Sequence, residues 1–181
     1  MTYYIIISLI LGLLALFFAF LFTRGVEKHY DWSRTVPRMV WPGMLLGSIC
    51  LIWSAYHGCI MLEGELSRFH IWVKLLVPIT VVLSYFFLDY LTARALGGFM
   101  ILAANFLLHE SFAQATFARG FYAVVCLLLG TAGLFLVGTP WRLRQALELA
   151  GQRPRLRYTL GIFFVVCAAS LIIQPFFRSV L

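Results

Sequence analysis

Charge is scarce in this chain. Of 181 residues, 12% are Asp, Glu, Lys or Arg, and only seven are acidic. Soluble domains average about 25% charged and about 45–50% apolar residues. Here 62% of residues are hydrophobic, more than one soluble domain of this length can hide, so that class is excluded. Catalytic signatures are missing too: there is no GxSxG, no HExxH, no Walker loop and no GxGxxG ahead of a helix. The connection 139–157, the longest between apolar runs, is too short for a separate catalytic domain. No catalytic residue is therefore assigned, and an activity of the chain's own is not the expectation. The net charge of +7 comes without a basic patch on a polar fold, so nucleic acid is not an expected partner. No CxxC pair occurs among Cys50, Cys59, Cys126 and Cys167. All four lie in apolar runs, which predicts buried free thiols rather than disulfides or a metal site.

What is present is long apolar runs. Six candidate spans fall at about 3–22, 39–62, 71–89, 91–108, 121–138 and 158–177. About 20 apolar residues cross ~30 Å of hydrocarbon as a helix, and a lone segment in lipid must satisfy its own backbone hydrogen bonds. The expected fold is all-α: a single polytopic transmembrane helix bundle over residues 1–181. The first run lacks a basic leader and a small-residue cleavage site before Arg24, so a retained span is expected. The third and fourth spans are divided only by Asp89 and Arg94, predicting a tight reversal near 89–94; one long broken helix is the alternative. Asp89 and Arg94 are expected to pair with each other there, or to snorkel.

Six spans place Arg24, Lys28, Arg34, Arg38, Arg94, Arg142, Arg144, Arg153, Arg155 and Arg157 on one side. That is ten of the fourteen basic residues, leaving Arg68, Lys74, Arg119 and Arg178 opposite. The positive-inside rule makes the first side cytoplasmic and puts both termini outside. Aromatic belts fit this: Trp32, Trp41, Tyr90, Trp141 and Tyr158 near the inner boundary, Tyr3, Tyr4, Tyr56, Trp72 and Tyr122 near the outer one.

Within 139–157, Leu143, Ala146, Leu147 and Ala150 follow an i, i+3, i+4, i+7 spacing. Arg144 and Glu148 form an i, i+4 pair, and Gly151 with Pro154 gives a stop signal. A short amphipathic surface helix between spans five and six is predicted, with Arg142, Arg144, Arg153, Arg155 and Arg157 directed at anionic phospholipid headgroups. The region from Phe121 onward resembles small two-span bacterial inner-membrane proteins of the YjeT type. The resemblance rests on Gly133, Leu134, Pro140, Trp141, Arg142, Pro154, Leu156, Arg157 and Gly161. That family has no assigned activity, so it implies a bacterial inner-membrane setting and carries over no catalytic residue.

Gly43 and Gly47 in "GMLLG" form a small-xxx-small face for close helix approach, as do Gly97, Gly98, Ala103 and Ala104, and Gly130 with Gly133. They pack either this chain's own helices or another molecule's. The one dense polar stretch, "YHGCIMLEGELSRFH", puts His57, Glu63, Glu65 and His70 at the outer boundary, where His109 and Glu110 also end the fourth span. Interfacial histidines satisfied by water are one reading. A quinone or proton-handling site is another, with His57, His70 and His109 binding and Glu63, Glu65 and Glu110 relaying protons. A haem b held by His57 and His109 is a third. His57 and Cys59 point apart on a helix and cannot share an ion, so no metal site is expected. Asn105 is expected to make an interhelical hydrogen bond.

These features predict an accessory subunit of a larger membrane complex, respiratory or electron-transfer in kind, whose partners are other integral membrane subunits. A small transporter or channel and a haem-carrying redox protein are the alternatives. Ion-coupled carriers place ionisable groups near the midplane, and no span here does.

Overall fold

The computed structural model describes residues 2–25, 35–62, 64–113 and 119–173. Among them are seven α-helices and no strand: α1 (Thr2–Phe20), α2 (Val40–Met61), α3 (His70–Phe87), α4 (Leu91–Ala113), α5 (Arg119–Gly138), α6 (Trp141–Gln152) and α7 (Pro154–Ile173). All except α6 are long and apolar enough to cross a membrane. The protein is a multi-pass helical membrane protein.

The span boundaries shift for local reasons. α1 runs on through a π-helical turn, Leu21–Gly25, in which the Thr23 hydroxyl donates to the Ala19 carbonyl at 2.7 Å. α4 extends five residues beyond its predicted end, so His109 and Glu110 lie within the helix rather than at its end. α7 opens at Pro154, four residues early; a proline is tolerated in a first helical turn because its missing N–H would have no partner there. The reversal between α3 and α4 is real and tight, spanning Leu88, Asp89 and Tyr90. Tyr90 sits at φ 57°, a left-handed conformation costing a side-chain-bearing residue roughly 1–2 kcal/mol.

α4 is the centre of the bundle. It packs against α5 on one side and α2 on the other, and also touches α1. Hydrophobicity does not discriminate between helices in lipid, so close packing has to, and glycines decide both seams. A Cβ on Gly97 would lie 2.6 Å from the Gly133 carbonyl oxygen, and one on Gly133 would lie 2.7 Å from that of Gly97. Backbone meets backbone across α4 and α5. Gly43 does the same for α2, where a Cβ would fall 2.6 Å from the Thr92 nitrogen; Gly47 faces the Ala95 methyl one turn on. These glycines therefore pack the chain's own helices.

α1 lies chiefly along α7. Phe164 of α7 stacks on Phe18 at 5.5 Å and on Phe22 at 5.6 Å between ring centroids. The surface helix α6 has the predicted apolar face, with Leu143, Leu147 and Ala150 buried. Those residues do not face lipid. They join Phe18, Leu21, Phe22, Ala93 and Leu96 in one cluster, so α6 plugs one end of the bundle. α3 is the outlier. Its one substantial neighbouring helix is α2, and none of its residues is buried.

Candidate functional site

At the end opposite α6, the structure places the predicted histidines separately. His57 is exposed on α2, and the Trp53 indole N–H donates to its Nε2 at 2.9 Å. That nitrogen must give up this bond before it can ligate iron. His70 Nε2 lies 3.1 Å from the Leu62 carbonyl; a carbonyl only accepts, so the nitrogen carries the proton. His70 thus caps the last turn of α2, a local role that orders the α2–α3 connection. His109 is exposed on α4, and Glu110 is half-buried beside it. Trp53 packs edge-on against Phe106 of α4, one turn before His109, so the two helices bring His57 and His109 to the same end. Glu63 lies outside the described residues, and so does the side chain of Glu65. Among the described residues no three His, Cys, Asp or Glu side chains gather as a metal site.

Near this end is a buried polar junction that sequence reasoning missed. The Ser8 hydroxyl of α1 donates to the Leu171 carbonyl of α7 at 2.5 Å. Its proton is thereby committed, so the Tyr122 hydroxyl of α5, 3.2 Å away, donates to Ser8. Tyr4 meets Tyr122 edge-to-face with centroids 6.5 Å apart. Tyr4 and Tyr122 are therefore core residues and not members of an outer aromatic belt. Ser8 also supplies the interhelical bond expected of Asn105, which instead lies exposed beside a cleft shared with Gly130 and Thr131. The signal available was a lone serine in a run of isoleucines and leucines.

The arginine end is where three connections meet. The Arg38 guanidinium donates to the Tyr90 hydroxyl at 2.8 Å and lies over its ring, 4.8 Å from the centroid. Arg144 of α6 also bonds that hydroxyl, while its Nε forms the predicted pair with Glu148 at 2.8 Å. The Thr92 hydroxyl donates to the Met39 carbonyl. One tyrosine in a strained turn thus ties the entry to α2, the α3–α4 reversal and α6. Arg94 does not pair with Asp89: its Nη1 donates to the Val137 carbonyl at 3.3 Å, because the α4–α5 seam offers that acceptor on the bundle side. Arg142, Arg153 and Arg155 are exposed, and Arg157 is half-buried, all at this end.

Two cationic donors on one phenol have a titratable consequence. Hydrogen bonds from Arg38 and then Arg144 favour the phenolate and lower the Tyr90 pKa from its usual value near 10. Glu148 and then Tyr90 raise that of Arg144. Lowering the folded-state pKa of an acid adds stability that is fully present above the unfolded value and is lost as pH falls through the folded one. At neutral pH the phenol is protonated and contributes nothing by this route. The wild type minus Tyr90→Phe difference in ultraviolet absorbance is expected to titrate below pH 10, and Arg38→Ala should move the midpoint back up. A midpoint unmoved by Arg38→Ala would show that the guanidinium does not act on the phenol.

Above this junction an open groove of about 940 Å³ runs up the side of the bundle. α4 forms its floor, with Thr92 and Leu96, and α1 and α2 form its walls. It exists because α2 and α1 each pack on α4 without closing on each other.

No protein-family model, curated protein or solved structure matches this chain.

Proposed function

We propose that the protein is an accessory subunit of a larger bacterial inner-membrane assembly, and that its α2–α3 hairpin seats another integral membrane protein. The carrying observation is α3. It has no buried residue, and Pro78 lies inside it. Proline supplies no N–H, so the Lys74 carbonyl one turn earlier loses its helical donor. In a bilayer such freed groups are satisfied by neighbouring helices, hydroxyls or water. Thr80, the nearest hydroxyl on the helix, is already turned to the Leu76 and Val77 carbonyls. A helix from another chain laid along α3 would cover the proline-opened stretch. The arginine end faces the cytoplasm in this reading, supported by the bias of basic residues toward it. The electron-transfer setting rests on His57 and His109, both exposed at the outer end, where a quinone or haem of a shared pocket would meet them.

Photocrosslinking in native membranes tests this. Benzoylphenylalanine at Leu76, Ile79 or Leu83 of α3 should each give a discrete protein adduct of one common mass. The same probe at Leu127 of α5 or Ile162 of α7, equally exposed, should give lipid adducts only. Lipid adducts alone at all five positions would overturn the subunit assignment.

A further inference from the structure

We infer that the groove between α1, α2 and α4 is a binding site for one anionic phospholipid, its acyl chain in the groove and its phosphate at the Arg38 end. Depth is the first argument. The groove is lined on α2 from Trp41 to Ile52, eleven helical rises apart, or about 16 Å of helix at ~1.5 Å per residue. Half of a ~30 Å hydrocarbon core is about 15 Å. α2 spans Val40–Met61, so the groove begins where that helix enters the membrane and stops near its midpoint. It is one leaflet deep. A transported solute would need a path through both leaflets and a partner helix a seam along the whole span, whereas a lipid tail needs this one.

Lining chemistry is the second argument. Phe17, Leu45, Ile49 and Ile52 make the walls apolar along their length and Leu96 does the same for the floor, while the two hydroxyls of the lining, Thr92 and Ser48, are committed to the Met39 and Met44 carbonyls. No hydroxyl proton along the groove is left to select a polar ligand, and an apolar chain fits.

Charge at the mouth is the third. Met39 and Trp41 line the open end, and Arg38 precedes them. One Arg38 nitrogen bonds Tyr90, which fixes the guanidinium beside the mouth while its remaining N–H groups stay available to a phosphate. Trp41, 84% exposed, sits at the depth where indoles meet headgroups. Among the described residues the carboxylates of this end are Glu148, paired with Arg144, and Asp89 of the reversal, and Arg38, Arg94, Arg142, Arg153, Arg155 and Arg157 outnumber them. The occupant is thus anionic at one end and a single-leaflet chain at the other. This site is separate from the α3 face, and neither reading depends on the other.

The test is native mass spectrometry of the delipidated protein titrated with phosphatidylglycerol or phosphatidylcholine of identical chains. One phosphatidylglycerol should be retained, about five-fold more tightly than phosphatidylcholine, the factor one arginine contributes at an anionic surface. Arg38→Gln should remove the preference while leaving chain binding. Leu45→Trp fills the groove at a position 68% exposed; it should abolish retention of both lipids at an unchanged unfolding temperature. Should Leu45→Trp not fold, Ile52→Phe at the deep end should shorten the longest chain retained. Equal retention of the two lipids, or binding indifferent to the groove substitutions, would overturn the assignment. So would a second copy of the protein or a neutral isoprenoid found in place of the lipid.

Discussion

Gly97→Val is expected to lower the unfolding temperature of the purified protein by roughly 6–12 °C. The new side chain would meet the Gly133 carbonyl at 2.6 Å, and the Leu136 and Val137 side chains at 2.9 Å. The first of these is backbone and cannot turn aside. α4 and α5 must separate along the best-packed seam of the bundle, and overpacking of this kind costs about 3 kcal/mol. In a protein of this size each kcal/mol moves the midpoint by about 2–4 °C. The neighbouring Gly98→Ala is the control. A Cβ there meets nothing within 4 Å, so its midpoint should be unchanged or slightly higher, alanine being the better helix former. The chain carries its own reporter, because Cys50, Cys126 and Cys167 are buried free thiols. Once the half-buried Cys59 is blocked, a thiol-reactive fluorophore follows unfolding without an engineered cysteine. Equal midpoints for the two variants would mean that the α4–α5 approach does not hold the bundle.

Gly43→Val should produce a different kind of damage. Its side chain would meet the Thr92 nitrogen at 2.6 Å and the Leu91 carbonyl carbon at 2.8 Å, pushing α2 off α4. Because α3 is held by α2, the whole hairpin goes with it, while α1, α4, α5 and α7 keep their contacts. Cys50 faces the Ala95 carbonyl across this seam at 3.8 Å. Peptide mapping of the labelled protein should therefore show Cys50 reacting at a temperature well below Cys126 and Cys167. In Gly97→Val the order changes, and Cys126 on α5 becomes reactive early. If all three thiols moved together in Gly43→Val, the hairpin would be part of one cooperative unit and not a separable element.

The spans were readable because lipid imposes a length on any apolar run, and the reversal at Leu88–Tyr90 because Asp89 within it has to reach water. α6 was readable for a third reason. It alone meets two solvents, so its apolar residues keep a helical period. The other helices are apolar all round and have no favoured face in their sequence. Helix order was hidden for that reason, together with every site that depends on it. Gly43, Gly97 and Gly133 could be recognised as close-approach positions, but not matched with Thr92 and with each other. Tyr4 and Tyr122 sit at belt depth in sequence, yet Ser8 draws Tyr122 inward through a hydrogen bond between residues more than a hundred positions apart, and Tyr4 packs edge-on against that ring. His70 looked like a ligand because the carbonyl it caps is invisible in a sequence. The groove was hidden for the same reason: it is a space between helices that fail to meet.

The pairing of α1 with α7 sets the order of events during synthesis. The first helix is inserted while five more must still leave the ribosome before its main neighbour exists. Until then, the surfaces of Phe18 and Phe22 that receive Phe164 are covered only by lipid or by an insertase. A chain cut short ahead of Pro154 would carry a leading helix without its main neighbour. Closure of the bundle then waits on the emergence of α7.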